Sequence, residues 1–360
     1  MNVLHITPYY APAWALGGVV RAVSALAEAQ AQRGDTVRVL TTDIADLQGG
    51  RLAALEEVRN GVQVQRARNL STCLRARYNL STPRNFGKLL RAALSQAQVV
   101  HLHEFRTLEA LLTVRAKPRA PILLAPHGTL SPETGRSAVK RLWDRLLGRY
   151  MARHIKAVAA LTEPERREVE AYWRRFSLPV PPIRVIPNGV GEDIWAGLAQ
   201  AHLQDDIAAL RRRFKLGDAP IVLFLGRLHA RKGLQYLIPA FAEALRGGAD
   251  GHLLIVGADA GMSGEVRRLI AAHGLSERAS LTGLLEGRER IAALAAAEIF
   301  ALPAVGEGLP IAALEAAASG CALLLTEGCN LPEAAARGAG VIAERTVEAV
   351  AAALKHLLES

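Results

Sequence analysis

Short apolar segments alternate with longer Ala- and Leu-rich segments along the whole chain. The alternation predicts parallel sheets of the doubly wound α/β class, because each short run reads as a buried strand and each longer segment as a helix. Segments 20–34 and 267–274 are examples of the helices. The predicted strands lie at residues 3–7, 36–42, 62–65, 99–103, 121–125, 157–162, 183–187, 220–226, 251–257, 279–283, 299–303, 321–326 and 340–343.

The alternation occurs twice, with a break near residues 188–218 that contains Asn188-Gly189 and the polar segment QDDIAALRRRFKLGDAP. We therefore predict two Rossmann-like domains, residues 1–187 and 216–360, joined by a linker region at 188–215. In open α/β sheets, ligands bind beyond the carboxyl ends of the strands. Two such domains that face each other would enclose a cleft.

The composition favours a cytoplasmic protein. No run of 18 or more uncharged apolar residues is present, so a membrane-spanning helix is not expected. The first residues, MNVLHITPYY, have no basic segment followed by a long apolar one, so they predict a first strand and not a signal peptide. The three cysteines, Cys73, Cys321 and Cys329, form no C-x-x-C pair, which indicates a reducing compartment.

The net charge of +10 is unevenly distributed. Residues 1–185 contain 28 Lys and Arg against 14 Asp and Glu, a net charge of +14, whereas residues 186–360 carry −4. A basic half is suited to nucleic acid, an anionic membrane surface or an acidic small molecule. Aromatic residues make up only 5% of the chain and none interleave with the basic stretches, so we expect no nucleic-acid partner.

One basic amphipathic helix is predicted at residues 136–156. We expect its apolar stripe to pack against its own sheet. The alternative is contact with anionic lipid headgroups, which would place the protein peripherally at the inner face of the membrane. The stripe consists of Val139, Leu142, Trp143, Leu146 and Tyr150.

The segment GRLHARKG (226–233) directly follows the predicted strand at 220–226. A glycine after a strand permits a tight turn. Arg227 and Lys232 would then project at the end of the sheet, where two cations suit a diphosphate. The alternative is a solvated basic loop.

Two carboxylates lie in the otherwise apolar stretch GEGLPIAALEA (306–316). Proline restricts the preceding residue, so we expect a helix that starts at Pro310 and leaves Glu307 in a loop. The amides of Gly308 and Leu309 would lie near the helix N-terminus, which attracts anions. Glu315, inside the helix, would accept hydrogen bonds from two neighbouring hydroxyls. The alternative is a helix in which Glu307 is favoured by the dipole and Glu315 is paired in the core.

These motifs, together with others along the chain and in the order in which they occur, resemble those of one enzyme family. The C-terminal half is similar to glycosyltransferase family 4 (the group 1 glycosyltransferases, with two facing Rossmann-like domains in the GT-B architecture) in GRLHARKG, VGADAG, LTG, ALPAVGEGLPIAALEAAASG and TEGCNLPEAA. The N-terminal half is similar in PYYAPAWALGGVVRAVSALAEAQAQRGDTVRVLTT, HGTLSPE (127–133) and VIPNGV (185–190). The resemblance covers about residues 1–345.

The resemblance implies a retaining transferase that moves a sugar from a UDP- or GDP-linked donor to a glycan or lipid-linked acceptor, as in cell-surface polysaccharide synthesis. It implies that Arg227 and Lys232 neutralise the leaving diphosphate, with Gly308 and Leu309 also at the donor. It further implies that Glu315 holds the ribose hydroxyls. Glu307 would face the donor sugar near its reacting carbon.

For the N-terminal half, the resemblance implies that His127 lies beside the transferred sugar. It also implies that Gly17 and Gly18 let backbone amides approach the phosphate or the acceptor. No D-x-D sequence is present to hold a metal at the diphosphate, so we expect no cofactor and no metal requirement. One departure from the family pattern is Ala304, where the family often has serine.

Other interpretations are open. A nucleotide-sugar epimerase or a phosphorylase shares the architecture, and a non-catalytic nucleotide-sugar-binding subunit is an alternative from another class. HLHE (101–104) places His101 and His103 on one face of a strand, and with His127 they have the chemistry of a zinc site. We favour a different interpretation over a zinc site, in which residues 101–104 form the end of a strand on the substrate side. His103 or Glu104 would then contact the substrate.

Overall fold

The protein is described by a computed structural model that covers residues 1–74, 80, 82–130 and 137–359. The chain divides into two compact units, Met1–Gly189 and Val190–Ser360. In the part of the chain that the structure describes, no helix combines the length and apolarity needed to cross a membrane.

The first unit contains, among its described residues, an eight-stranded sheet. Its neighbouring strands are parallel except for one antiparallel pair. All the strands predicted in this half are confirmed, 36–42 and 99–103 with the predicted ends and the others with shifted ends. The strands are β1 (Asn2–Ile6), β2 (Thr36–Thr42), β3 (Glu56–Arg59), β4 (Val62–Ala67), β5 (Val99–His103), β6 (Ile122–Ala125), β7 (Ile155–Ala160) and β8 (Ile183–Val185), in the spatial order β3-β4-β2-β1-β5-β6-β7-β8.

Strand β3 is absent from the sequence prediction. It forms an antiparallel hairpin with β4 around Asn60 and Gly61, which both have positive φ, at 48° and 81°. An Asn-Gly pair is the preferred two-residue hairpin turn, so the signal is present in the sequence. The strand itself, EEVR, is too polar to be recognised by apolar alternation.

The helices of the first unit lie between the strands in sequence, as the doubly wound class requires. Helices such as Phe86–Leu94 and Leu108–Arg115 bury one face against the core formed by residues such as Leu4, Val100 and Leu124, whereas the first helix packs on strands β2 and β4. The helices are α1 (Gly18–Gln32), α2 (Phe86–Leu94), α3 (Leu108–Arg115), α4 (Ser137–Trp143), α5 (Arg149–Ala152) and α6 (Glu163–Arg175).

The predicted basic helix at 136–156 is interrupted, which changes the face that it buries. A π-helical turn, Asp144–Gly148, separates α4 from α5, and such a turn rotates the residues that follow it relative to α-helical spacing. Trp143 and Tyr150 pack on the core as expected. The expectation is wrong for the other three stripe residues, because Val139, Leu142 and Leu146 are exposed.

The second unit contains a six-stranded parallel sheet in its described residues. Every strand predicted for this half is confirmed. Apolar strands such as IVLFL and HLLIV are buried on both faces, as a helix-covered parallel sheet requires. The strands are β9 (Ile221–Leu225), β10 (His252–Val256), β11 (Ala279–Gly283), β12 (Ile299–Leu302), β13 (Ala322–Thr326) and β14 (Gly340–Ala343), in the order β11-β10-β9-β12-β13-β14.

The segment 188–215 differs from the predicted linker. From Val190 onward it belongs to the second unit, and it forms two helices whose residues Ile194 and Leu210 are buried in that unit's core. The helices of this unit are α7 (Glu192–Leu198), α8 (Leu203–Phe214), α9 (Leu234–Arg246), α10 (Ser263–Ala272), α11 (Gly287–Ala295), α12 (Ile311–Ala318), α13 (Glu333–Ala336) and α14 (Val347–Leu358).

Candidate active site

Each sheet has one point where the chain reverses the direction in which it adds strands. In the second unit the chain runs from β9 outward to β11 and then returns to place β12 on the other side of β9. In the first unit the same reversal lies between β1 and β5. Ligands of doubly wound sheets bind beyond the carboxyl ends of the strands at these points. The loops after β9 and β12 carry Arg227, Lys232 and Glu307.

The loop after β9 packs closely against the loops after β12 and β10 because of two glycines. Gly233 has a φ of 82°, and a Cβ atom there would lie 1.9 Å from the carbonyl oxygen of Pro303. Gly257, after β10, has a φ of 156°, and its Cβ would lie 1.8 Å from the carbonyl oxygen of Gly226. Any other residue at either position would push the loops apart. The glycine of GRLHARKG that matters most for the site is therefore its last one.

Lys232 and Glu307 form an ion pair across this contact. The Lys232 Nζ lies 2.8 Å from the Glu307 Oε2, and the two side chains are 17% and 18% exposed. The sequence prediction placed both residues at the donor, but it did not pair them with each other. Arg227 is exposed in the same loop. The structure thus brings a lysine, an arginine and a carboxylate to one end of the sheet.

The loop that carries Glu307 is held by its backbone. The Glu307 amide donates to the carbonyl of Gly328 at 2.6 Å, and the Glu307 carbonyl accepts from the Asn330 side chain at 2.6 Å. The Arg231 guanidinium donates to the carbonyl of Gly306 at 2.6 Å. These bonds come from two different segments, the turn at 328–330 and the loop of Arg231, so the Glu307 side chain projects from a fixed position.

Positive charge is concentrated in this loop. Burial, followed by the charges of Arg227, Arg231 and Lys232, lowers the pKa of His229. His229 is thus expected to be neutral at pH 7 and to leave the net charge to its neighbours. Three cations against the single carboxylate of Glu307 make a site for an anionic ligand.

The helix after this loop begins one residue later than expected. Pro310 is the N-cap of α12, with a φ of −72° and a ψ of 112°. Leu309 is buried, while Gly308 is partly exposed just before it. The positive end of the helix dipole is therefore directed at the loop of Glu307. The anion-binding role of the Gly308 and Leu309 amides stays a prediction.

Glu315 differs from its predicted environment. Its Oε2 atom contacts the Arg290 guanidinium of α11, and both side chains are almost completely buried, at 4% and 3% exposed. Oε2 is thus engaged by Arg290, and the contact of Glu315 with the donor ribose stays a prediction. The sequence cannot reveal the pairing with Arg290, because Arg290 lies on another helix. The core-paired alternative describes this carboxylate better.

In the first unit, two non-glycine residues with positive φ follow neighbouring strands. Glu104, after β5, has a φ of 65°, and His127, after β6, has a φ of 54°. Such strained backbone is concentrated at functional sites. The Tyr9 hydroxyl donates to the Glu104 carboxylate at 2.7 Å, and the Gly128 amide donates to the Glu165 carboxylate at 2.5 Å. Both turns are thus fixed by buried or partly buried hydrogen bonds.

His127 belongs to a cluster of four histidines. The His127 Nε2 lies 2.9 Å from the His103 Nδ1, and the His103 Nε2 lies 2.8 Å from the His5 Nδ1. Burial lowers the pKa of His5 and of His127 to about 4, and it holds the pKa values of His101 and His103 well below the usual range. All four imidazoles are therefore neutral at pH 7.

A metal ion is the alternative occupant of this cluster. One ring nitrogen from each of His5, His101 and His103 lies within 4.8 Å of the others. The set differs from the sequence-based zinc hypothesis, in which His127 took the place of His5. Hydrogen bonds already join His5, His103 and His127 to one another. The buried His101 Nε2, in contrast, has no hydrogen-bond partner among the described residues.

Gly17 and Gly18 lie at the start of α1, after the first strand. Gly17 has a φ of 108°, which favours glycine, and its amide donates to the carbonyl of Trp14 at 3.1 Å. Its amide is thus already used, whereas Gly18 is the first residue of the helix, where amide groups lack intrahelical acceptors. Of the two predicted amides, Gly18 is the better placed for an anion.

Both halves of the chain are similar to known protein families. The family model described as "Glycosyl transferases group 1" matches residues 219–360, and the model described as "Glycosyl transferase 4-like domain" matches residues 17–189. The chain belongs to the group 1 (family 4) glycosyltransferases. Transferase activity and the GT-B fold class, both expected from the motifs, are thereby confirmed.

Several curated relatives of this glycosyltransferase are transferases too. An alpha-D-kanosaminyltransferase of Streptomyces kanamyceticus is 32% identical over 46% of this chain and 41% of its own length. A GDP-mannose:cellobiosyl-diphosphopolyprenol alpha-mannosyltransferase of Xanthomonas oryzae is 27% identical over 98% of this chain and 86% of its own length. A GDP-mannose-dependent alpha-(1-6)-phosphatidylinositol monomannoside mannosyltransferase of Mycolicibacterium smegmatis is 30% identical over 65% of each chain.

Solved structures agree on the fold of this glycosyltransferase. A sucrose-phosphate synthase from Thermosynechococcus elongatus matches with a TM-score of 0.74 at 20% identity, over 100% of this chain and 90% of the other. Anabaena HepE, solved with UDP and glucose, matches with a TM-score of 0.72 at 18% identity over the same shares. At these identities the likeness establishes the fold alone.

Proposed function

We propose that the enzyme transfers a hexosyl group, with retention of anomeric configuration and without a metal ion, from a nucleotide-sugar to a lipid-linked or glycan acceptor in cell-surface glycan synthesis. GDP-mannose is the donor that we favour, because two of the relatives named above use it. The observation that carries the proposal is the ion pair of Lys232 and Glu307 beside Arg227, at the strand reversal of the second unit.

In this reaction the bond between the sugar carbon and the diphosphate oxygen breaks, and a new bond to the acceptor oxygen forms on the same face. The acceptor proton passes to the departing diphosphate. Negative charge grows on the diphosphate, where Lys232 and Arg227 are proposed to neutralise it. Positive charge grows on the oxocarbenium-like sugar, where the Glu307 carboxylate is proposed to stabilise it. His127 is proposed to contact a hydroxyl of that sugar.

The ion pair explains how the site is kept ready before the donor binds. Without a ligand, Glu307 neutralises Lys232 at 2.8 Å. An arriving diphosphate carries more negative charge than one carboxylate, so it competes for the lysine. The fixed backbone of Glu307 then leaves the carboxylate in place for the sugar. The lysine and arginine supply the charge that a metal supplies in D-x-D enzymes.

The proposal predicts turnover of a nucleotide-sugar in the presence of EDTA. Purified enzyme should be incubated with GDP-mannose, UDP-glucose and other donors, with polyprenol-linked saccharides as acceptors, and with and without EDTA. We expect one donor to be consumed at the same rate in both conditions, and NMR of the product should show the anomeric configuration of the donor. A site that lost all activity in EDTA and regained it with Mg²⁺ would contradict the metal-free proposal, and an inverted product would contradict retention.

We also propose that the first unit docks on an anionic membrane surface through α4 and the π-helical turn. Val139, Leu142 and Leu146 are 64%, 59% and 68% exposed, and exposed arginines lie beside them at positions 145 and 149. Apolar residues flanked by cations are the pattern of helices that bind at lipid interfaces.

The opposite face of the same segment is fixed in the core. The buried Asp144 accepts from the Arg106 guanidinium at 2.9 Å with each of its oxygens and from the Tyr172 hydroxyl at 2.7 Å. This network determines which residues face outward. The apolar residues are therefore presented by an anchored helix, and an anionic bilayer is the occupant that suits their arginine neighbours and the +14 charge of residues 1–185.

Reversing two of these charges should release the enzyme from vesicles. An arginine held near an anionic surface contributes about 1 kcal/mol, so Arg145→Glu combined with Arg149→Glu should weaken binding by more than about tenfold. Co-sedimentation with phosphatidylglycerol-containing vesicles at low and high salt measures this. Binding of the parent should fall as salt rises.

The matched control is Arg267→Glu combined with Arg337→Glu, which makes the same charge change at exposed positions of the second unit. We expect this control to sediment nearly as the parent does. Equal recovery of the parent on phosphatidylglycerol and on purely zwitterionic vesicles would contradict the proposal, as would equal losses in both double variants.

A further inference from the structure

Four side chains of the first unit form a continuous chain of hydrogen bonds. The Gln30 Oε1 of helix α1 lies 2.7 Å from the His5 Nε2 of β1. The His5 Nδ1 lies 2.8 Å from the His103 Nε2 at the end of β5, and the His103 Nδ1 lies 2.9 Å from the His127 Nε2 in the turn after β6. The chain thus links a helix, two adjacent strands and the strained turn of His127.

The sheet register explains why these residues meet. Strands β1 and β5 are adjacent and parallel, with His5 opposite His101. His103 follows His101 by two residues and so lies on the same face. His5 and His103 are 0% and 1% exposed. Both ring nitrogens of each of these two buried histidines are used within the chain.

In a chain of neutral imidazoles, every hydrogen bond is donated in the same direction along the chain. Each neutral ring carries one N–H donor and one lone-pair acceptor. The Gln30 oxygen only accepts, so the His5 Nε2 carries its hydrogen and the His5 Nδ1 accepts. The His103 Nε2 must then donate to His5, and the His103 Nδ1 must accept from the His127 Nε2. The Nδ1 of His127 is left as a lone-pair acceptor.

We propose that Gln30, His5 and His103 are positioning residues that hold His127 in the Nε2–H tautomer, so that its Nδ1 accepts a hydrogen bond from a hydroxyl of the transferred sugar. This rests on the proposed function for the contact between His127 and the sugar. The tautomers themselves do not depend on that function. A hydroxyl that donates to His127 is oriented by it, which contributes to selection among sugars.

The tautomers can be measured directly in the parent enzyme. Long-range ¹H–¹⁵N correlation spectra of ¹⁵N-histidine-labelled protein at pH 7 distinguish Nε2–H from Nδ1–H rings and from imidazolium. We expect His5, His103 and His127 to be neutral Nε2–H rings. An Nδ1–H ring at His103 or His127 would reverse the chain and overturn the proposal.

A bound metal would overturn it as well. An ion held by His5, His101 and His103 would take one ring nitrogen of His5 and one of His103, and all four of those nitrogens are used in the hydrogen-bond chain. We therefore expect metal analysis of the purified enzyme, before and after equilibration with Zn²⁺ and dialysis, to show less than one bound ion per chain. One equivalent of tightly bound zinc that perturbs the His103 signals would replace our interpretation by a metal site.

The link to Gln30 is tested by Gln30→Met, which keeps the side-chain length and removes the acceptor. We expect the His103 and His127 signals to show mixed tautomers and kcat to fall by up to about tenfold, the effect of one hydrogen bond. Gln32→Met, at an exposed position of the same helix, is the matched control and should change neither. Unchanged His127 tautomer in folded Gln30→Met would show that Gln30 does not set the direction.

Failure of the proposed function and failure of the hydrogen-bond proposal give different experimental results. Nε2–H tautomers in an enzyme that transfers no sugar from any nucleotide donor would disprove the proposed function and leave the hydrogen-bond chain intact. Active enzyme with an Nδ1–H ring at His127 would disprove the chain alone.

Discussion

Glu307→Gln is expected to lower kcat by about 10²–10³-fold, the effect of removing one preorganised electrostatic group from a transition state. The glutamine keeps the shape of the side chain and the hydrogen bonds of its backbone to Gly328 and Asn330. It removes the negative charge beside the developing cation. The ion pair adds a second expectation, because Lys232 loses its internal partner. The variant should bind nucleoside diphosphate as tightly as the parent or more tightly.

Lys232→Ala should show the reverse pattern. It removes a cation from the diphosphate and leaves Glu307 uncompensated beside it. Losing one charge-assisted contact costs about 1.5–3 kcal/mol, and the freed carboxylate adds repulsion. We therefore expect a larger rise in donor KM for Lys232→Ala than for Arg227→Ala, since Arg227 is exposed and the structure pairs it with no carboxylate within the described residues.

Calorimetric binding of nucleoside diphosphate and steady-state kinetics, both on the same preparations, measure these effects. The double variant Lys232→Ala/Glu307→Gln should bind diphosphate better than Lys232→Ala alone, which is the signature of coupled neighbours. Glu348→Gln, an exposed carboxylate at the start of α14, serves as the control for a change of charge. Parent-like kcat in folded Glu307→Gln would disprove the catalytic assignment of this carboxylate.

The sequence predicted the fold well because the fold depends on local periodicity. Buried strands such as β9 and β10 are continuous apolar runs, and their order along the chain determines the doubly wound class. The same reasoning failed for β3, whose residues are polar because it lies at the edge of the sheet. It also failed for Val139, Leu142 and Leu146, because a π-helical turn breaks the spacing on which the predicted stripe relied.

The candidate site was predicted only as far as single loops allow. Arg227, Lys232 and Glu307 were identified from their own neighbourhoods, and the structure places them at one end of the sheet. The pairing of Lys232 with Glu307 depends on the contact of two loops more than 70 residues apart in sequence, which no local pattern encodes. His5 was read as part of a first strand, because its relation to His103 exists only through the register of β1 and β5.

Glu315 presents the opposite problem, because its environment and the family resemblance indicate different roles. The residue is buried against Arg290, and the resemblance to the family implies contact with the donor ribose. Removing one partner of a buried ion pair costs about 3–5 kcal/mol, since the other charge is left uncompensated. Glu315→Gln and Arg290→Met should therefore each lower the melting temperature of the second unit by roughly 10 °C.

Replacing both partners by apolar residues separates the two roles. A buried ion pair exchanged for side chains of similar volume is often neutral or stabilising, and the Arg290 Nε already lacks a hydrogen-bond partner in the described part of the chain. Glu315→Leu combined with Arg290→Met should thus recover most of the lost melting temperature. If Glu315 also holds the ribose, the stable double variant should keep a raised donor KM with a smaller change in kcat. A donor without ribose hydroxyls should then be penalised in the parent far more than in this variant. Recovery of both stability and donor KM would make Glu315 a purely structural residue, and the ribose would have to be held by other groups.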